Sequence, residues 1–125
     1  MRTLRILGLG LLGMMAVLLG FEIHHWQQAA RQERESRILQ ELTPEKLVAN
    51  CGEPVSDESY SLSNVPYSRE IKYQSSNYPF WVKLEFRPGD DKKWHLTHFG
   101  SSSIGVRPSD ANAYLAVEEF PCMAK

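Results

Sequence analysis

The 125-residue chain lacks a basic stripe, a Cys-x-x-Cys pair and a Gly-x-Ser-x-Gly turn. The first absence argues against nucleic-acid binding, because nothing is there to displace counterions from a phosphate backbone. The second removes the usual spacing of a redox-active or zinc-holding thiol pair. The third removes the strained turn that exposes a hydrolase serine, and Ser101-Ser102-Ser103 has no partner order for a triad. Asp90-Asp91 is too short of neighbouring oxygen ligands to form a calcium loop. Cysteine is scarce, at two residues, and proline numbers seven. No catalytic residue, metal set or cofactor is implied, and the chain does not read as an enzyme.

Charge is absent from Ile6 to Phe21, sixteen residues that come after Met1-Arg2-Thr3-Leu4-Arg5. As a helix this run rises roughly 24 Å, and continuing to Ile23 brings it near the roughly 30 Å hydrocarbon core of a bilayer. It exceeds the about 7–15 residues of a signal-peptide core, and no small-x-small cleavage site adjoins it. No cysteine lies close enough for lipid attachment. Residues 1–23 therefore predict a single-pass inner-membrane anchor contacting lipid through residues 6–23. Arg2 and Arg5 keep the N-terminus cytoplasmic and export the C-terminal remainder of the chain. The alternative is a cleaved signal and a periplasmic domain.

Of the 14 Lys and Arg and 15 Asp and Glu, Arg2, Arg5 and Glu22 fall within those 23 residues. The remainder holds 12 basic and 14 acidic groups, a formal charge of −2 with both signs mixed. Residues 24–41 lack Gly and Pro and are rich in helix formers, which predicts a polar helical stalk. Its apolar positions, Trp26, Ala30, Ile38 and Leu42, are too sparse for a coiled-coil seam. Residues 42–125 suffice for one small exported domain.

Within that domain, Thr43 suits an N-cap and Pro44 the first helical position. Gly52 and Pro54 terminate the helix after about two turns. Leu47, Val48 and Cys51 share one face that a sheet must cover. Ser56 to Tyr67 predicts an irregular edge strand, and Arg69 to Tyr73 a strand with Ile71 and Tyr73 on one side. Phe80 to Arg87 alternates clearly, with Phe80, Val82, Leu84 and Phe86 facing inward. Pro88-Gly89-Asp90-Asp91 is turn chemistry, after which Trp94 to Phe99 returns antiparallel. Gly100 to Pro108 predicts a loop. A final helix is expected from Ser109 or Asp110 to about Glu119, with Leu115 on its buried face. The expected fold is α+β in two layers: a short helix, an antiparallel three- to four-stranded meander and a C-terminal helix.

Cys51 and Cys122, both on the exported side, predict one disulfide. Closing a loop of about 70 residues stabilises by roughly 4 kcal/mol in the chain-entropy account. His95-x-x-His98 on a regular strand would point to opposite faces, which disfavours a shared metal ion. His24-His25 diverge by about 100° on a helix and are no better placed. The candidate partner-binding residues are Trp81 and the aromatic-rich set Tyr60, Leu62, Val65 and Tyr67.

Thr43-x-x-x-Leu47-Val48-x-x-Cys51-Gly52-x-Pro54, leading into an aromatic-rich meander, resembles the helix start of SmpA/BamE-type outer-membrane lipoprotein domains. It is also similar to short envelope proteins with a Cys-Gly-x-Pro version of that pattern. The resemblance implies a two-layer α+β domain and a non-catalytic role binding an envelope protein. This chain departs from it in lacking a lipidation cysteine and in having one short helix before the strands. The second reading, a small-ligand or metal-binding periplasmic module, would use the histidines.

Overall fold

A computed structural model describes residues 2–75 and 79–125, with side chains from residue 10 onward. The chain divides into two compact units, with the boundary after Gln32. The first consists of helix α1, Arg2–Glu41, as far as that boundary. From Leu11 to Ile23 its large apolar side chains are exposed. Among the described residues no helix is long and apolar enough to cross a membrane.

The second unit is α+β. The last turns of α1 lead into α2, Pro44–Cys51, and then into strands β1 (Ser56–Leu62), β2 (Val65–Gln74), β3 (Trp81–Pro88), β4 (Trp94–Ser101) and β5 (Gly105–Val106). Helix α3, Tyr114–Glu119, and a 3-10 turn, Pro121–Ala124, close the chain. The five strands form one antiparallel sheet in sequential order. Ile71, Tyr73, Val82, Leu84, Phe86, Leu96 and Phe99 fill one sheet face. Leu39, Leu42, Leu47, Val117 and Met123 from the helical segments complete the same core.

The short helix forms for the reasons its sequence suggests. Thr43 Oγ1 accepts from the Lys46 amide at 3.2 Å, Pro44 occupies the first turn, and Gly52 closes the helix at φ +86°. The Gly52 amide donates to Val48 O at 2.9 Å. Tyr73 Oη donates to Gly52 O at 2.9 Å, tying the helix end to the sheet. Cys51 and Cys122 form the expected disulfide, with Cα atoms 5.2 Å apart. Tyr73 and Phe120 stack at a tilt nearby, ring centroids 5.3 Å apart.

Four local expectations are corrected. Ser56–Tyr67 is not one irregular strand: it holds all of β1, a two-residue turn and the start of β2. Ser63 and Asn64 both adopt left-handed backbone, φ +52° and +66°, the conformation of a tight hairpin. Gly100–Pro108 is not simply a loop, because Ser101 N donates to Ile104 O at 2.8 Å and folds the chain back into β5. The buried Ser101 hydroxyl accepts from the amides of Ser103 and Ile104, satisfying the turn.

The last helix starts later than Ser109 or Asp110. Asp110 Oδ2 accepts from Arg107 N at 2.8 Å, and successive four-residue turns, Asp110 N to Arg107 O and Ala113 N to Asp110 O, occupy the stretch to Ala113. Ala113, Ala116 and Val117 are the residues buried there, while Leu115 is half-buried. Finally, Leu39 is fully buried (0% exposed) although the polar stretch around it looks solvated.

Candidate interaction surface

The sheet is supported unevenly. β2 pairs with β3 only from Arg69 to Gln74, whereas its pairing with β1 continues to Val65. The part of the hairpin from Tyr60 to Ser68 is thus a two-stranded ribbon running past the point where β2 pairs with β3. A register shift at Tyr60/Ser61 sets Tyr67 as the extra residue, a bulge that increases local twist. Leu62 pairs with Val65 across the turn. Their side chains are 73% and 64% exposed, Tyr67 is 50% exposed and Tyr60 38%.

Tyr60, Leu62, Val65 and Tyr67 therefore share one projection. Trp81, 46% exposed, does not belong to it. It pairs with Gln74 at the other end of β2. The nine residue steps from Val65 to Gln74 span roughly 30 Å at about 3.3 Å each. The Trp81 backbone is pinned on both sides: its amide donates to Ser102 Oγ at 2.9 Å and its carbonyl accepts from Ser102 N at 3.2 Å.

Charge surrounds the ribbon's base. Tyr60 Oη donates to Glu58 Oε2 at 2.7 Å, and the Glu58 and Glu70 carboxylates push the phenol up to about 12. On the other face of the hairpin, Arg69 grips Asp57 with both Nε (2.9 Å) and Nη2 (2.7 Å). That two-pronged bond holds the Asp57 carboxyl below its ordinary value of 3.8.

The histidines on β4 sit differently from the alternation of a regular strand. A register shift between Glu85 and Phe86 places Leu96 and Phe99, three residues apart, both in the core. His95 and His98, opposite Arg87 and Glu85, then both fall on the outer face. They still serve separate neighbours. His95 Nε2 lies 2.8 Å from Asp91 Oδ1, its ring lying so close over Gly89 that a Cβ there would sit 2.6 Å from His95 Cδ2. The His98 ring lies over Gly100 and Gly105, 3.4 and 3.6 Å from where their Cβ atoms would be. Among the described residues no group of three or more His, Cys, Asp or Glu is placed to hold a metal ion.

Sequence reasoning missed a groove along the outer edge of β4. Its volume is about 680 Å³, and Gln40, His98, Arg107 and Ser109 contribute to its wall. No residue pattern marks it, because the short β5, which leaves much of the β4 edge open, lies in a stretch that reads as a loop.

No family model, curated protein or solved structure matches the chain.

Proposed function

We propose that this chain is a non-catalytic, membrane-anchored envelope protein whose exported domain binds a protein partner through the β1–β2 ribbon. The observation that carries the reading is the ribbon itself. Four large apolar or aromatic side chains, Tyr60, Leu62, Val65 and Tyr67, are held in solvent on a projection that the core does not need. Ordering such side chains away from the core costs free energy that a partner's surface would return. Aromatic anchors of this kind dominate many interfaces. The exposed backbone of β1 offers a further strand-pairing edge beside them.

The anchor is residues 6–23. Its support is the uncharged run Ile6–Phe21 flanked by Arg2 and Arg5, together with the exposed Leu11, Leu12, Val17, Leu18 and Phe21 on α1. In this reading the N-terminus faces the cytoplasm and residues 24–125 lie on the outer side of the inner membrane. The likeness of the Thr43–Pro54 segment to SmpA/BamE-type domains agrees with an assembly or accessory role.

The test is in-cell photo-crosslinking from position 62, with position 81 as a comparison, in the full chain expressed in a bacterial host. A single stoichiometric envelope protein captured at 62 and lost when Val65→Asp is added supports the ribbon. Equal capture at both positions, or none at 62, overturns it. Alkaline carbonate extraction tests the anchor: retention in the membrane pellet with residues 1–23 present by intact mass supports it, and release overturns it.

A further inference from the structure

We propose that the groove along the outer edge of β4 binds a phosphate-class oxyanion. This rests on the groove's own chemistry and does not depend on the ribbon. β5 pairs only with Phe99 and Gly100, so Trp94–His98 has no strand on that side among the described residues. The chain leaving β5 runs through Arg107, Pro108 and Ser109, which form the opposite wall. That wall is held by three bonds. Asp110 Oδ2 accepts from the Arg107 amide at 2.8 Å, Asp110 N donates to Arg107 O at 3.0 Å, and Gln40 Nε2 donates to Pro108 O at 3.4 Å.

With its backbone fixed, Arg107 extends an exposed guanidinium that has no hydrogen bond or ion pair among the described residues. Arg87 uses Nε on Glu85 at 2.9 Å, which leaves its terminal nitrogens available and neutralises the one carboxylate lining the groove. The His98 imidazole and the Ser109 hydroxyl likewise have no partner among the described residues. Thr97 spends its proton on Glu85 O at 3.1 Å, so it adds an acceptor only.

The unspent groups are therefore rich in donors, and Arg107 carries a positive charge that no carboxylate lining the groove offsets. The two oxygens of a carboxylate have about four lone-pair sites, fewer than two guanidiniums, an imidazole and a hydroxyl can supply. A phosphate presents three or four oxygens and takes two-pronged bonds from arginine. The same group could arrive as free phosphate, on a soluble monoester, or on a phospholipid headgroup.

The experiment titrates the full chain, in a neutral detergent, with inorganic phosphate by calorimetry. The variants are Arg107→Ala, Arg107→Lys and, as a charge control outside the groove, Lys46→Ala. Saturable binding is expected, weakened about tenfold or more in Arg107→Ala, since charge-assisted hydrogen bonds of this kind are lost outright. Arg107→Lys should recover part of it, and Lys46→Ala should bind as the parent does. Competition by phosphatidic acid added to the micelles would identify a lipid headgroup as the source, and its absence a soluble phosphate. No saturable binding, or equal weakening in Lys46→Ala and Arg107→Ala, overturns the site. Unchanged melting of each variant without phosphate separates loss of the site from loss of the fold.

Discussion

Single residues carry two separable loads. Leu39 ends a stretch dominated by Glu33, Arg34, Glu35 and Arg37, yet it is as deeply buried as any strand residue. Leu39→Ala is expected to cost about 2–5 kcal/mol, the range for truncating a core leucine. A mere spacer position would change stability by less than about 0.5 kcal/mol, and urea denaturation of the full chain in detergent distinguishes them. Asp57 carries an electrostatic load instead. Its carboxyl titrates below the ordinary 3.8 because Arg69 hydrogen-bonds the charged form. The stability it adds is complete above the unfolded value and fades as pH falls through the lowered one. Asp57→Asn should therefore flatten the acid limb of the melting-temperature profile below about pH 4 while leaving its slope near neutrality unchanged.

At the scale of elements, the β1–β2 hairpin is the least supported part of the domain. A two-stranded ribbon is marginally stable by itself, so its amides beyond Arg69 should lose protection before those of β3. Its turn is improvable. Ser63 holds φ +52°, where a side chain is disfavoured, and Asn64 holds φ +66°. Replacing the pair with Asn-Gly, the residues such turns favour, is expected to raise stability by up to about 1 kcal/mol, measured by thermal melting.

Legibility tracked physics at this scale. α2 was readable because Thr43, Pro44 and Gly52 each act within one turn of the helix. β3 was readable because its alternation is uninterrupted and its inner face is buried. The hairpin hid because Ser63-Asn64 is an uncommon turn pair and the flanking residues, being solvent-exposed, carry no alternation. The bulge opposite Glu85 hid because it reverses the parity on which any reading of His95 and His98 depends. Tyr60, Leu62, Val65 and Tyr67 could be named as aromatic and apolar residues close together in a Ser-rich stretch. Trp81 could not be separated from them, since only the strand register reveals how far apart they lie. Leu39 and Arg107 gave no local signal: each gains its role from a segment distant in sequence.

For the whole molecule, the hydrophobic core is small and the Cys51–Cys122 bond matters accordingly. It spans 71 residues of sequence and joins the end of α2 to the closing 3-10 turn. Constraining a loop of that length in the unfolded chain stabilises by roughly 4 kcal/mol, against a net stability of about 5–15 kcal/mol for an ordinary domain. Reduction, or Cys51→Ser with Cys122→Ser, is expected to lower the melting temperature by more than about 10 °C. An unchanged melt would show that the surrounding cluster of Tyr73, Phe120 and Met123 suffices without the bond.

That bond also makes a covalent circle of the sheet, because all five strands lie between Cys51 and Cys122. A protease that cuts once at the ribbon tip, or at any other turn inside the circle, produces two peptides that stay attached. The cut molecule runs as one species until a reductant is added, so a strand can be severed without being released. A domain built this way survives a first nick in its most exposed projection.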